Sequence, residues 1–154
     1  MTFNFDNNDW FFQSNPKIYK ILRVLSDPRY KRMTWQVTKF KHDINKGDFV
    51  WIWVSGEKAG IYATAEIIEE PRMRRALPRE TPPDKMWIDK SEYKEIMLRA
   101  LLEIKRNLQN NPILRTELKE KGLKSPPIDK FYQATNFKVL EEERYRIRQI
   151  ILNR

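Results

Sequence analysis

The chain has 154 residues, with 30 Lys or Arg against 21 Asp or Glu, one His and no Cys, for a formal charge of +9. Without cysteine there is no disulfide, thiolate metal site or cysteine nucleophile, and the lone His42 cannot build a multi-histidine metal centre or a histidine pair. The length suits one domain whose core needs no covalent or metal staple, and the charge points to a polyanionic partner, nucleic acid being the commonest. No G-x-x-x-x-G-K-S/T or G-x-G-x-x-G loop occurs, so nucleotide hydrolysis and dinucleotide chemistry lack support. A Ser-His-Asp triad would need His42, which lies in a Lys-rich polar stretch without a nucleophile motif. Met1 to Asp6 lacks the pattern of a signal peptide, and no apolar run approaches the ~18–20 residues of a membrane span. A soluble, cytoplasmic protein without membrane contact, metal or cofactor is expected.

Trp10-Phe11-Phe12-Gln13 reads as the first strand. Ser14-Asn15-Pro16 then opens a helix, with Asn15 as N-cap and Pro16 at the first helical position. Ile18, Ile21, Leu22 and Leu25 recur at helical spacing and form its buried side, and Asp27-Pro28 ends it. From Arg29 to Lys41 the chain carries Arg29, Lys31, Arg32, Lys39 and Lys41 with no acid, interleaved with Tyr30, Trp35 and Phe40. Cations among aromatics suit a surface that holds phosphates and stacks bases, and equally a solvated loop with core anchors.

Phe49-Val50-Trp51-Ile52-Trp53-Val54 is aromatic and β-branched, which favours a strand. It is apolar on both faces, with Phe49, Trp51 and Trp53 on one and the aliphatics on the other, so it should be central and covered on both sides. Ser55 to Gly60, with glycine near each end, reads as a hairpin turn into a second strand, Ile61 to Ile68. Pro71 to Lys90 is expected to be a long loop carrying Arg72, Arg74 and Arg75, with Trp87 near its end. Ser91 to Gln109 shows a helical stripe of Tyr93, Ile96, Met97, Ala100, Leu101, Ile104 and Leu108. A second helix is bracketed by Asn111-Pro112 and Gly122. Phe131 to Val139 reads as part strand and part polar loop. Glu141-Glu142-Glu143 opens a last helix, its acids at the positive end of the dipole, docked by Tyr145, Ile147, Ile150, Ile151 and Leu152.

In order and spacing these motifs resemble the EVE domain, a PUA-like group related to the YTH readers of methylated adenosine. The markers are Gln13-Ser14-Asn15-Pro16, Trp35, Gly47-Asp48-Phe49-Val50, Ser55-Gly56-Glu57-Lys58-Ala59-Gly60-Ile61-Tyr62 and Ala134-Thr135-Asn136-Phe137-Lys138-Val139 before a Glu-rich helix. The resemblance implies a single domain over 1–154 of α+β class: a small curved or closed β-barrel flanked by α-helices. It further implies a non-catalytic module that binds DNA or RNA carrying a modified base, flipped into an aromatic pocket. Ser14 and Asn15 would read the base edge, Trp35 would be one wall and Trp53 or Trp87 the other, with Ser55, Thr135 and Asn136 near the mouth. Phosphate contacts would come from Arg29, Lys31, Arg32, Lys39, Lys41, Arg72, Arg74 and Arg75. Gln13 stands where the family usually has Lys. Two alternatives remain: a small amidohydrolase on modified nucleosides, drawing on Lys39, Lys58 and Glu66, and a general RNA-binding accessory domain held by charge alone.

Overall fold

The structure is a computed structural model that describes residues 7–76, 82–88, 95–124 and 135–154. Strand β1 (Asp9–Ser14) and strand β3 (Phe49–Val54) are buried at every residue, as runs apolar on both faces require. They pair in parallel, Asp9 with Phe49 through Ser14 with Val54, so the chain between them must cross over. That crossover holds helix α1 (Ile21–Ser26) and strand β2 (Arg32–Gln36). The hairpin returns from β3 into β4 (Gly60–Arg74), which runs 15 residues, well past the expected Ile68. Strand β5 (Met97–Asn107), the two-residue β6 (Ile113–Leu114), helix α2 (Arg115–Glu120), β7 (Asn136–Lys138) and helix α3 (Glu141–Leu152) complete the chain.

Together the strands make one mixed sheet ordered β2-β5-β4-β3-β1-β7, with β6 attached to β4. Side chains on one face, among them Trp10, Phe12, Val50, Ile52 and Leu102, form a core with Ile21, Val24 and Leu25 of α1. The other face carries Phe11, Trp51, Trp53 and Ile61, covered by Leu118 of α2 and by Ile147, Ile150 and Ile151 of α3. The division of β3 into an aromatic and an aliphatic face is therefore the division between two cores.

The two glycines of the hairpin have different reasons. Gly56 has φ +120°, a conformation that a side chain disfavours. At Gly60 the constraint is space, since a Cβ would lie 2.4 Å from the Ile113 carbonyl oxygen.

Four expectations change. Ser91 to Gln109 is not a helix where it is described: Met97–Asn107 is strand β5, paired with β4 on one side and β2 on the other. Leu, Ala, Glu, Lys and Arg favour helix weakly, and two flanking ladders override that preference. The first helix is delayed to Ile21, because the Asn15 side chain closes a turn instead, accepting the Lys17 N–H at 2.9 Å. Pro71 falls inside β4, within the register shift between Glu69 and Arg72 and beyond the part of β4 that pairs with β3, where a missing N–H is tolerated. On α3, Tyr145 and Leu152 are exposed, and Arg148 takes the buried place beside Ile147 and Ile151. Residues 131–134 of the expected strand or loop lie outside the described residues.

The sheet is not a closed barrel. Among the described residues no ladder joins β2 to β7, the two ends of the strand order. Side chains bridge them instead. Asn136, 1% exposed, accepts the Thr38 N–H at 2.8 Å and donates to the Gln36 carbonyl at 3.2 Å, and the Thr135 hydroxyl donates to that same carbonyl. The two ends of the strand order are thus tied by side chains, chiefly by one buried amide. Asn136→Ala leaves the Thr38 N–H without that acceptor and is expected to cost about 1–3 kcal/mol, read as a lower urea midpoint at unchanged slope.

Candidate functional site

Where β2 and β7 separate, a cavity of about 420 Å³ opens, within the ~300–1,000 Å³ range of small-molecule sites. Its first wall is β2 itself, Met33 through Gln36. Trp35 is 8% exposed and backs onto Phe12, ring centroids 6.1 Å apart. It is a core residue that shows part of its ring to the cavity.

The opposite wall comes from a short ribbon. Tyr19 and Trp87 form an isolated antiparallel bridge, flanked by hydrogen bonds from Lys20 N–H to the Met86 carbonyl and from Ile88 N–H to the Ile18 carbonyl. A single 3-10 turn, Asp84–Met86, delivers Trp87 to it. The Trp87 and Tyr19 rings meet edge to face at 4.6 Å and 75°, a favoured aromatic geometry. Trp87 is half-buried, so it serves the cavity without carrying the core.

Polar groups enter from three places. The end of β1 supplies Ser14 and then Asn15, and Thr135 comes from the chain just before β7. The third is the backbone of β2. Lys31 accepts from the Ile104 N–H and Val37 donates to the Leu98 carbonyl, so odd-numbered residues of this antiparallel strand bond to β5. Arg32, Thr34 and Gln36 therefore turn their amides to the open edge. The Gln36 carbonyl is taken by Thr135 and Asn136, which leaves the Thr34 amide facing the cavity. None of the described lining residues is Asp, Glu, Lys, Arg or His. Such a surface accepts a flat, neutral ligand with apolar faces and a polar edge.

Of the expected pocket residues, the structure brings together Ser14, Asn15, Trp35, Trp87 and Thr135. Asn136 sits behind Thr135 as the edge bridge. Ser55 supports the site from outside, its N–H and hydroxyl both donating to the Ser14 carbonyl. Trp53 does not reach the cavity: it is fully buried in the core of the other face, edge-on to Phe11 and under the Arg115 guanidinium. The period-2 alternation that separates Trp53 from Val54 makes this unavoidable. Sequence reasoning missed Tyr19, Thr34 and Gln36. Thr34 and Gln36 flank Trp35 and signal their role only through strand register. Tyr19 was absorbed into a helix that begins later than expected.

The cations divide sharply. Arg29 chelates Asp27, and that hydrogen bond holds the Asp27 carboxyl down at about 2. Arg32 pairs with Glu103, while Arg72 and Arg74 share Glu69. Lys31, Lys41 and Arg75 are exposed and make no ion pair among the described residues. Lys39 is exposed and has a contact of its own. Glu66 is paired with Lys105 and lies roughly 20 Å along the strand from the turn that holds Lys58, so these two do not assemble into an acid–base set. No group of three or more His, Cys, Asp or Glu among the described residues is placed to hold a metal, and no described helix is long and apolar enough to cross a membrane.

Solved structures share this fold. A hypothetical protein from Leishmania major aligns over 94% of each chain at 16% identity with a TM-score of 0.62. Human THYN1, solved in complex with 5-methylcytosine containing DNA, covers 94% of this chain and 97% of its own at 14% identity and a TM-score of 0.62. The Pho92 YTH domain, solved in complex with m6A, covers 97% and 86% at 12% identity and a TM-score of 0.55. A comparison with curated protein sequences gave no match. The family profile of the EVE domain matches residues 8–150, nearly the whole chain, and the protein belongs to the EVE domain family.

Proposed function

We propose that this protein is a non-catalytic reader that binds nucleic acid carrying a modified, most simply a methylated, base and takes that base out of its strand into the cavity. The observation that carries the reading is the cavity itself: an aromatic-walled slot, neutral among its described residues, at a sheet edge whose backbone amides face inward. Stacking on an aromatic face contributes ~1–3 kcal/mol per base. A methyl group adds apolar area to what is buried, at ~0.8 kcal/mol for a carbon of that size. Those gains offset the few kcal/mol that unstacking a base costs. The likeness to THYN1 and the Pho92 YTH domain, each solved with a methylated base, supports the same reading.

The test is binding to matched oligonucleotides, unmodified, methylated or hydroxymethylated, single- and double-stranded, at two salt concentrations. At least one modified oligonucleotide should bind tenfold or more tightly than its unmodified twin. Equal binding to all, with steep salt dependence, would instead identify a general RNA- or DNA-binding domain held by charge.

Phosphate contacts are assigned to Lys31, Lys41 and Arg75, whose charges are not spent on carboxylates among the described residues. Arg75→Ala should weaken modified and unmodified oligonucleotides alike and reduce the salt slope by about 1. Arg29→Ala should change the slope little, because Asp27 already neutralises that charge.

A further inference from the structure

Tyr19 is a cavity residue whose polar end has no assigned task. Its ring is fixed on two sides, by the edge-to-face contact with Trp87 and by the backbone bridge between the same two residues. Its hydroxyl makes no hydrogen bond to the described residues, while three other polar side chains of the lining are engaged. Asn15 closes its turn, Thr34 donates to the Ala76 carbonyl, and Thr135 donates to Gln36. An oriented donor at the wall of a ligand-sized cavity, with no partner in the surrounding framework, is a group kept for the ligand.

The angle between the rings limits the kind of contact. A flat ligand stacked on Trp87 lies parallel to that indole and so is inclined by about 75° to the Tyr19 ring. The Tyr19 ring therefore cannot form a second stacking face, and its phenol is left as a polar contact. Burial, with a smaller contribution from nearby Tyr30, raises the phenol well above its ordinary range, so it stays a protonated donor at neutral pH.

We infer that Tyr19 is a specificity-determining residue of this site: its hydroxyl donates a hydrogen bond to an in-plane acceptor, a ring nitrogen or exocyclic oxygen, of the bound base. This rests on the reading of the cavity as a base pocket. It adds a requirement that stacking alone does not impose, namely that the accepted base carries an unprotonated acceptor on the edge facing Tyr19. A base that presents N–H at that edge would set donor against donor and be rejected, whatever its methylation.

The experiment pairs Tyr19→Phe with atom-replaced ligands. Wild-type protein and the variant are titrated with the best-bound modified oligonucleotide and with versions in which one ring nitrogen of that base is replaced by C–H, or one exocyclic oxygen by hydrogen. Tyr19→Phe should bind the parent about tenfold more weakly at an unchanged melting temperature, since the lost hydroxyl bonds nothing in the described framework. One replacement should weaken the wild type by a similar factor and leave the variant unaffected. Tyr19→Phe binding the parent within twofold of wild type, or the variant losing affinity equally with every replacement, would overturn the inference. Failure of the base-pocket reading looks different: the wild type would then show no preference among the parent oligonucleotides.

Discussion

Trp87→Ala is expected to lower affinity for the preferred modified oligonucleotide by about 1–3 kcal/mol, roughly five- to 150-fold, while the melting temperature moves by only a few degrees. Two features of Trp87 separate binding from stability. It is half-buried, on a ribbon held by two backbone hydrogen bonds, and its aromatic partner among the described residues is Tyr19. The corresponding change at Trp35 does not separate them. Trp35 is 8% exposed and packs on Phe12, so Trp35→Ala opens a hole in the core and costs about 3–5 kcal/mol of stability as well as binding. Isothermal titration beside thermal unfolding checks both. Trp87→Ala with full affinity would remove Trp87 as a stacking wall and leave the cavity reading without its second aromatic face. Trp87→Phe, which keeps a smaller π-face, should recover part of the loss.

Why Trp87 and Trp53 were indistinguishable in sequence is a matter of topology. Each is a tryptophan in an apolar setting, and composition says only that it buries area. What decides between them is which face of β3 looks toward β2. That follows from the order β2-β5-β4-β3-β1-β7, a set of long-range pairings that no local pattern encodes. The central hairpin, by contrast, was legible, because six consecutive aromatic and β-branched residues admit few other placements. So were Ser14, Asn15, Trp35 and Thr135 as neighbours, through the family-like motifs around them. The β5 segment was not: Ala100, Leu102 and Ile104 alternate at strand period, yet Ala100, Leu101 and Ile104 also satisfy helical spacing. Two ladders on β5 settle the matter, and both partners are distant in sequence. Which of the expected phosphate-contacting cations are already paired with carboxylates was illegible for a related reason. Arg32 meets Glu103 across 71 residues, a pairing visible only once β2 and β5 are side by side.

Arg148→Met is expected to be the most destabilising single change away from the cavity, at about 3–5 kcal/mol, measured by urea unfolding. The Arg148 guanidinium donates twice to the Asp9 carboxylate, at 2.9 and 2.5 Å, and both side chains are almost fully excluded from solvent. Arg144 stands 3.3 Å from the same carboxylate. Removing Arg148 leaves a buried anion with one weaker partner, and the desolvation cost of that anion is no longer offset. The double variant Asp9→Asn with Arg148→Met removes the stranded charge and should recover much of the loss; if it is instead worse than the sum of the single changes, the ion pair is not the source of the effect. The consequence reaches the site. Asp9 begins β1 and Ser14 ends it, so the contact that docks α3 also seats the strand that delivers Ser14 and Asn15 to the cavity. Arg148→Met should therefore lose affinity only in proportion to the unfolded fraction, with the preference for the modified base intact in molecules that remain folded. That is the opposite of Trp87→Ala, and the two variants together divide what holds the sheet from what grips the base.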